Sequence, residues 1–438
     1  MPQVVVEPRV RGFISLTAHP EGCAANVREQ VAVARAGIPG HAAGHINSVL
    51  VLGSSTGYGL ASALVACFGY GAKTLGVCFE KPPEGDKTAS AGWYNLAEAH
   101  RLAKEQGLTF RTINGDAFSP EVKAETVRAL RDQIGPVDLV IYSLAAPRRK
   151  DAQGNVWNST LKPIGSAYHG KGFDLRNEAV TESSIEAATD EEITGTIKVM
   201  GGEDWTEWVT LLRREGLLAP GARAVAYSYI GPEVSSAIYR RGTIGRAKED
   251  LERTAHVLHK LLDDGQGGGA WVSVNKGLVT QASSAIPAVP LYISILYKVM
   301  KAQGSHEGTI EQMVRLFRDQ ISPGRTPQVD DEGRIRLDDW EMAAPVQTVV
   351  EELWDATTTE NLSLTTDYAG FKDDFMRLFG FGVDGVDYSA PTEVDRPLVE
   401  APSPRSSRLT IPLVEAMRAR IASSRSCGAP SRAAMAQR

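Results

Sequence analysis

The stretch Asn47-Ser-Val-Leu-Val-Leu-Gly53-Ser-Ser-Thr-Gly57-Tyr-Gly59-Leu60-Ala-Ser-Ala-Leu-Val-Ala-Cys-Phe68 decides the fold. Its unbroken apolar run reads as a strand buried on both faces, its glycines as a tight turn, and its second apolar run as a helix. In that order the three form a cradle for a pyrophosphate. Glycines let the backbone approach the phosphates, and the helix N-terminus favours their charge. Gly53, Ser54, Ser55, Thr56, Gly57 and Tyr58 are therefore candidate dinucleotide contacts. The next strand, Lys73-Thr-Leu-Gly-Val-Cys-Phe79, runs into Glu80 about 25 residues past the turn, where a Rossmann fold hydrogen-bonds the adenosine ribose. A carboxylate there repels a 2′-phosphate and favours NADH over NADPH, with Lys81 offsetting part of the repulsion. A Gly-rich turn by itself also serves ordinary tight turns, so the inference rests on strand, helix and acid standing in register.

The alternation continues along the chain. Phe110-Arg-Thr-Ile113 reads as a third strand, followed by Asn114-Gly-Asp116-Ala117, whose last two residues face the adenine in this scheme. Glu121 to Ile134 reads as a helix, and Val137 to Leu144 as a fourth strand leading into Ala145. Arg223 to Tyr229 and Ala270 to Val274 make a fifth and a sixth strand. The loop after the sixth contains Gly277, Leu278, Val279 and Thr280, which are expected to close over the nicotinamide and phosphates. Ligands of open α/β sheets bind beyond the carboxyl ends of the strands, and glycine or polar residues stand at every such end here. The expected fold class is α/β: a Rossmann-type doubly wound parallel sheet with helices on both faces, and insertions that form a substrate-binding portion.

Tyr239 and Lys248 stand nine positions apart in Ile238-Tyr-Arg-Arg-Gly-Thr-Ile-Gly-Arg-Ala-Lys248. A helix turns roughly 100° per residue, so a continuous helix would put the two on opposite faces. They converge only if the helix begins between them. Gly242-Thr243 supplies the break, with Thr243 read as the N-cap, Tyr239 in a loop and Lys248 inside a helix ending near Leu262. An ammonium beside a phenol lowers the phenol's pKa and is also able to hold ribose hydroxyls. The plainer alternative is a Tyr packed under a loop and a Lys on a solvated face.

Further motifs join these: Pro8-Arg-Val-Arg-Gly-Phe-Ile14, Ala18-His-Pro-Glu-Gly-Cys23, Ala226-Tyr-Ser-Tyr-Ile-Gly-Pro-Glu233, Gly242-Thr-Ile-Gly-Arg-Ala-Lys-Glu-Asp-Leu251, Val279-Thr-Gln-Ala-Ser-Ser-Ala-Ile-Pro287 and Leu378-Phe-Gly-Phe-Gly-Val-Asp-Gly-Val-Asp-Tyr388. Together they resemble the FabV-type trans-2-enoyl-CoA or enoyl-ACP reductases, enlarged relatives of the short-chain dehydrogenase/reductase superfamily. The Tyr-x8-Lys spacing sets that family apart from relatives with Tyr-x3-Lys or Tyr-x6-Lys. The resemblance implies Tyr239 as proton donor, Lys248 as cofactor ligand and Tyr229 as substrate contact. It assigns Gly53 through Tyr58, Phe79, Glu80, Asp116, Ala117, Leu144, Ala145 and Gly277 through Thr280 to NADH. The implied reaction reduces the C2=C3 double bond of an enoyl thioester carried on acyl carrier protein or coenzyme A. A monomer is implied as well. Ala145-Ala-Pro-Arg-Arg-Lys150 is more basic than the family pattern, and the chain past Glu400 has no counterpart in it.

With 438 residues, 42% hydrophobic and a net charge of -6, the chain is able to bury a large core. One α/β unit is expected over residues 1–400, with a Rossmann core at about 47–287, an insertion at about 147–200 and a helical wall at about 288–400. Residues 401–438, rich in Ala, Ser, Pro and Arg, are expected to be a disordered basic extension that can be removed without loss of folding or activity. A short helix with Leu413, Val414, Met417 and Ile421 on one face is the alternative. Cys23, Cys67, Cys78 and Cys427 lack metal-ligand spacing and read as free thiols. The pairs His41/His45 and His256/His259 lack a nearby third ligand, so no metal is expected. No nucleic-acid partner or membrane insertion is expected, and without a long apolar run or signal peptide the cytoplasm is the expected location. Two other functions stay open on the residues alone: reduction of a carbonyl by the same Tyr/Lys pair, and a non-catalytic NADH-binding scaffold.

Overall fold

A computed structural model describes residues 3–12, 14–38, 46–281, 283 and 288–398. The extension 401–438, with Cys427 and the Leu413 to Ile421 pattern, lies outside the described residues, as do His41 and His45. Seven strands form the central sheet: β1 Ser48–Leu52, β2 Lys73–Cys78, β3 Phe110–Asn114, β4 Val137–Tyr142, β5 Leu218–Ser228, β6 Gly269–Val274 and β7 Ile335–Arg336. Their order is β7-β6-β5-β4-β1-β2-β3, and every pairing is parallel. The first six follow the 3-2-1-4-5-6 order of a dinucleotide-binding Rossmann sheet, and β7 extends the edge beyond them. All five residues of β1 and all six of β6 are buried, as strands covered on both faces require.

Helices cover each face. On one side Pro20–Gly37, Gly57–Leu64, Ala91–Glu105 and Thr309–Arg315 bury Val27, Val31, Leu60, Leu64, Leu96 and Met313 against β1. On the other, Pro120–Ala129, Glu203–Arg214 and Thr243–Leu262 bury Val127, Trp205, Trp208, Leu251 and Leu258. A third apolar cluster joins Val289–Gln303, Ala344–Ala356 and Tyr368–Arg377, a helical wall with its own packed interior. Helices foreseen at Leu60 to Phe68 and Glu121 to Ile134 exist, each finishing in a wider π turn, Val65–Gly69 and Leu130–Ile134.

The region 147–200 holds the hairpins Arg148–Lys150/Val156–Asn158 and Tyr168–Asp174/Ala179–Ile185, then the helix Asp190–Met200. It pins the start of the helix Thr243–Leu262. The Thr243 N–H donates to the Lys162 carbonyl at 3.0 Å, the Thr243 hydroxyl donates to the Thr160 carbonyl, and the Lys162 N–H donates to the Thr243 hydroxyl at 3.2 Å. Gly242 is therefore the N-cap and Thr243 the first helical residue, one position from the expected cap, because the threonine hydroxyl is spent on the insertion. In a separate two-stranded sheet Gln3–Val4 pairs antiparallel with Thr392–Glu393.

Candidate active site

The turn after β1 requires glycine at two points. Gly53 has φ +89, and a β-carbon there would collide with the Ser143 carbonyl oxygen; a β-carbon at Gly59 would collide with the Gly53 carbonyl oxygen. This close packing seats the N-terminus of the helix Gly57–Leu64 between the carboxyl ends of β1 and β4, the point where strand order reverses. A β-carbon built on Gly57 would lie 3.7 Å from Thr280 Cγ2, and one on Gly53 would lie 3.3 Å from Leu144 Cδ2. Exit loops from β1, β4 and β6 thus meet around one crevice. The tight glycine turn leads straight into the N-terminus of the helix Gly57–Leu64 at the carboxyl end of β1, a position that fits a pyrophosphate.

Glu80 lies just past β2, and Ser55 Oγ donates to its Oε1 at 2.5 Å. That bond ties the expected ribose carboxylate directly to the glycine turn. Beside it Phe79 is 80% exposed, an apolar ring left at the mouth where an adenine is expected. Asp116 accepts the Phe118 N–H at 3.0 Å, next to buried Ala117, and Ala145 is exposed beyond half-buried Leu144. The Tyr58 hydroxyl turns inward, donating to the Lys276 carbonyl at 2.7 Å, so this side chain braces the β6 exit loop.

Tyr239 lies in the turn before the helix Thr243–Leu262 and is 8% exposed; Lys248 lies within that helix, equally buried. The ammonium donates to the Tyr227 carbonyl at 3.1 Å, near the end of β5. Burial pushes it down to about 8, countered in part by Glu252. The expectation that this ammonium would lower the Tyr239 phenol is corrected: burial raises Tyr239 above its ordinary value, and no charge offsets it. The phenol is thus a neutral donor at physiological pH. Tyr229 packs edge-on to it, and the two glycine-linked segments Tyr229–Gly231 and Gly242–Thr243 frame the pair.

Further residues enter the site that sequence reasoning missed. Glu341 is fully buried and accepts from the Gly277 N–H at 2.6 Å, the Tyr292 hydroxyl at 2.6 Å and the Tyr229 hydroxyl at 3.2 Å. Burial raises its carboxyl, while the Tyr292 hydroxyl and Lys276 act against the rise. Gln312 accepts the Lys276 N–H at 3.0 Å, and buried Lys276 lies over the Tyr297 ring at 5.3 Å, its ammonium pushed down to about 8 by burial. In the sequence Glu341 follows Asp338-Asp-Trp and looks like any solvated acid. Only the pairing of β7 with β6 reveals its place. The three described cysteines are buried and unpaired, and the described residues hold no cluster of three or more metal-ligating side chains.

A family model described as the trans-2-enoyl-CoA reductase catalytic region matches residues 87–322. Another, the NAD(P)H binding domain of trans-2-enoyl-CoA reductase, matches residues 5–85. The chain belongs to the trans-2-enoyl-CoA/enoyl-ACP reductase family. Within it, the enoyl-[acyl-carrier-protein] reductase [NADH] of Opitutus terrae is 52% identical over 398 residues, covering 90% of this chain and all (100%) of that protein. The corresponding reductase of Flavobacterium johnsoniae is 53% identical over 390 residues, 89% of this chain and 98% of that one. A trans-2-enoyl-CoA reductase of Clostridium acetobutylicum solved with NADH superposes with TM-score 0.86 at 41% identity, covering 91% of this chain and 100% of that one. That of Treponema denticola, solved with NAD, gives 0.85 at 47%, covering 90% and 98%. A third family model, described as an enoyl reductase FAD binding domain, matches residues 329–392. Described residues of that segment contain no succession of strand, glycine turn and helix like that at Gly53, and their helices bury Val346, Val350, Phe371 and Phe375 in the wall. They do not fit a flavin dinucleotide cradle.

Proposed function

We propose that this enoyl reductase reduces the C2=C3 double bond of trans-2-enoyl thioesters with NADH, the last reductive step of fatty acid elongation, with Tyr239 as the proton donor. The observation that carries the assignment is a buried Tyr239 phenol packed on the Tyr229 ring, whose hydroxyl lies 3.0 Å from where a β-carbon on Gly277 would sit, in the same β6 exit loop that reaches the glycine turn through Thr280. NADH, when bound, supplies the hydride that adds at C3. The glycine turn and the helix N-terminus hold the pyrophosphate, Glu80 and Lys248 hold the two riboses, and Gly277 through Thr280 close over the nicotinamide. As C3 gains the hydride, negative charge moves to the thioester oxygen, to which the Tyr239 hydroxyl donates a hydrogen bond. The enolate then collects a proton at C2, and Tyr239 supplies it. A raised phenol pKa suits this role, since the group stays protonated until the enolate forms.

The carrier is acyl carrier protein or coenzyme A, and no helix among the described residues is long and apolar enough to cross a membrane. The same reading makes the protein a cytoplasmic monomer, which cell fractionation and light scattering test. For the reaction, NADH oxidation is followed with crotonyl-CoA beside a panel of ketones. Turnover of crotonyl-CoA alone supports the proposal. Preference for a ketone would move the protein to carbonyl chemistry, and turnover of neither would leave a dinucleotide-binding scaffold.

A further inference from the structure

We propose that Glu341 is a positioning residue for the reduction: it takes the Tyr229 proton inward and locks Tyr229 and the Gly277 loop into one unit. The inference rests on the site assignment just made. The edge strand β7 delivers this carboxylate. Ser273 and Val274 of β6 pair with Ile335 and Arg336, and the Leu337 and Asp338 N–H groups both donate to the Val274 carbonyl, at 2.9 and 3.2 Å. The turn that follows, closed by the Met342 N–H on the Asp338 carbonyl at 2.8 Å, therefore lands beside the β6 exit loop. There Oε2 accepts the Gly277 N–H while Oε1 accepts both phenols, Tyr292 and Tyr229.

Tyr229 Oη donates to Glu341 Oε1 at 3.2 Å, so the Tyr229 proton points at Glu341 and away from substrate. Tyr229 then packs against the Tyr239 ring at 5.0 Å with its own proton committed to Glu341, leaving Tyr239 as the phenolic donor to the thioester oxygen. Tyr292, fully buried in the helix Val289–Gln303, and the Gln347 amide, which donates to Tyr292 Oη at 3.2 Å and to the Glu341 carbonyl at 2.7 Å, hold the carboxylate from the helical wall. The wall thereby reaches the chemistry through one side chain.

Glu341→Gln is the test, because its amide oxygen still accepts the Gly277 N–H while its NH2 can no longer accept the phenols. Misplacement of a reacting group on this scale lowers kcat by about 10- to 100-fold. With crotonyl-CoA, E341Q is expected to show that loss, with NADH Kd from fluorescence titration within about threefold of the parent. In a Tyr229→Phe background the same substitution is expected to lose most of its effect, since the two act as a pair. A kcat within about twofold of the parent, an undiminished loss in the Y229F background, or a Kd that weakens in step with kcat overturns the proposal. Should E341Q fail to fold, Tyr292→Phe, which removes one donor from the same oxygen, must show the same coupling with Y229F or the proposal falls. Tyr239→Phe run alongside separates the two levels: near-normal turnover there would overturn the site assignment itself.

Discussion

Tyr229 stands edge-on to Tyr239, with ring centroids 5.0 Å apart and planes inclined at 71°. Pairs of this geometry contribute about 0.5–1.5 kcal/mol beyond the area they bury, enough to hold the Tyr239 ring without its hydroxyl. The contact joins the loop after β5 to the turn before the helix Thr243–Leu262, and it sets two phenols side by side.

Tyr239→Phe therefore keeps the ring packing and removes only the proton. Loss of a general acid typically lowers turnover about 100- to 10,000-fold, and that range is expected for kcat with crotonyl-CoA. NADH affinity, read by fluorescence titration, should stay at the parent value. A kcat near that of the parent removes Tyr239 from the proton-donor role.

The Lys248 ammonium, pushed down to about 8 by burial, should make NADH binding pH-dependent. As pH rises from about 7 to 9.5 the ribose loses its charged donor and Kd should increase. Lys248→Ala should bind NADH weakly throughout and flatten that rise, leaving whatever Lys276 contributes. For stability the sign is opposite. Between about pH 8 and 10.5 the unfolded chain holds a proton that the folded chain has shed, so this group makes stability rise with pH there, while its burial penalty is present in full below about pH 8. Unchanged NADH affinity in the alanine variant would leave the ribose contact unsupported.

Glu80→Ala should narrow the preference for NADH over NADPH. A 2′-phosphate beside a carboxylate meets like-charge repulsion that water only partly screens, and Ser55 Oγ, 2.5 Å from Glu80 Oε1, holds that carboxylate at the glycine turn. Ratios of kcat/KM for the two donors measure it. A parent enzyme that already favours NADPH would displace Glu80 from the ribose.

Asp204→Ala should destabilise the fold by about 3 to 5 kcal/mol, the usual penalty for breaking a buried ion pair from one side. Asp204 and Lys123 are both buried with Nζ 2.6 Å from Oδ1, and Tyr142 Oη donates to Oδ2 at 3.1 Å. Urea denaturation measures the loss. A change below about 1 kcal/mol would mean that Glu207, also 2.6 Å from the ammonium, carries Lys123 without help.

Six strands, the glycine turn and the helix break at Gly242-Thr243 were readable because each is written locally: apolar runs of strand length, glycines at fixed offsets, an acid at the next strand's end. The two-residue strand β7 carries no such signal, since Ile335-Arg336 is too short to show a period, so the edge that delivers Glu341 went unseen. Gln312 and Tyr292 were hidden for a related reason. Both fall in the stretch expected to be helical, yet one polar residue on a helix says nothing about which loop it will brace until that helix is docked. The phenol's direction of shift was misjudged because spacing reveals neighbours while burial depends on the whole packed body. Tyr58, expected at the phosphates, has a hydroxyl that braces a carbonyl one loop away.

The short antiparallel pair of Gln3–Val4 with Thr392–Glu393 has a consequence for the molecule as an engineered object. Positions almost 390 residues apart in sequence are neighbours in one ladder, and the carbonyls of Val394 and Arg396 are held by Tyr94 Oη and Trp93 Nε1 at 2.8 and 2.7 Å. The body of described residues is in effect a ring with a nick in it. A circular permutant that joins these neighbours by a short linker and opens at the exposed turn near Gly154 should keep the reductase body whole, whereas trimming either flank unfastens both at once.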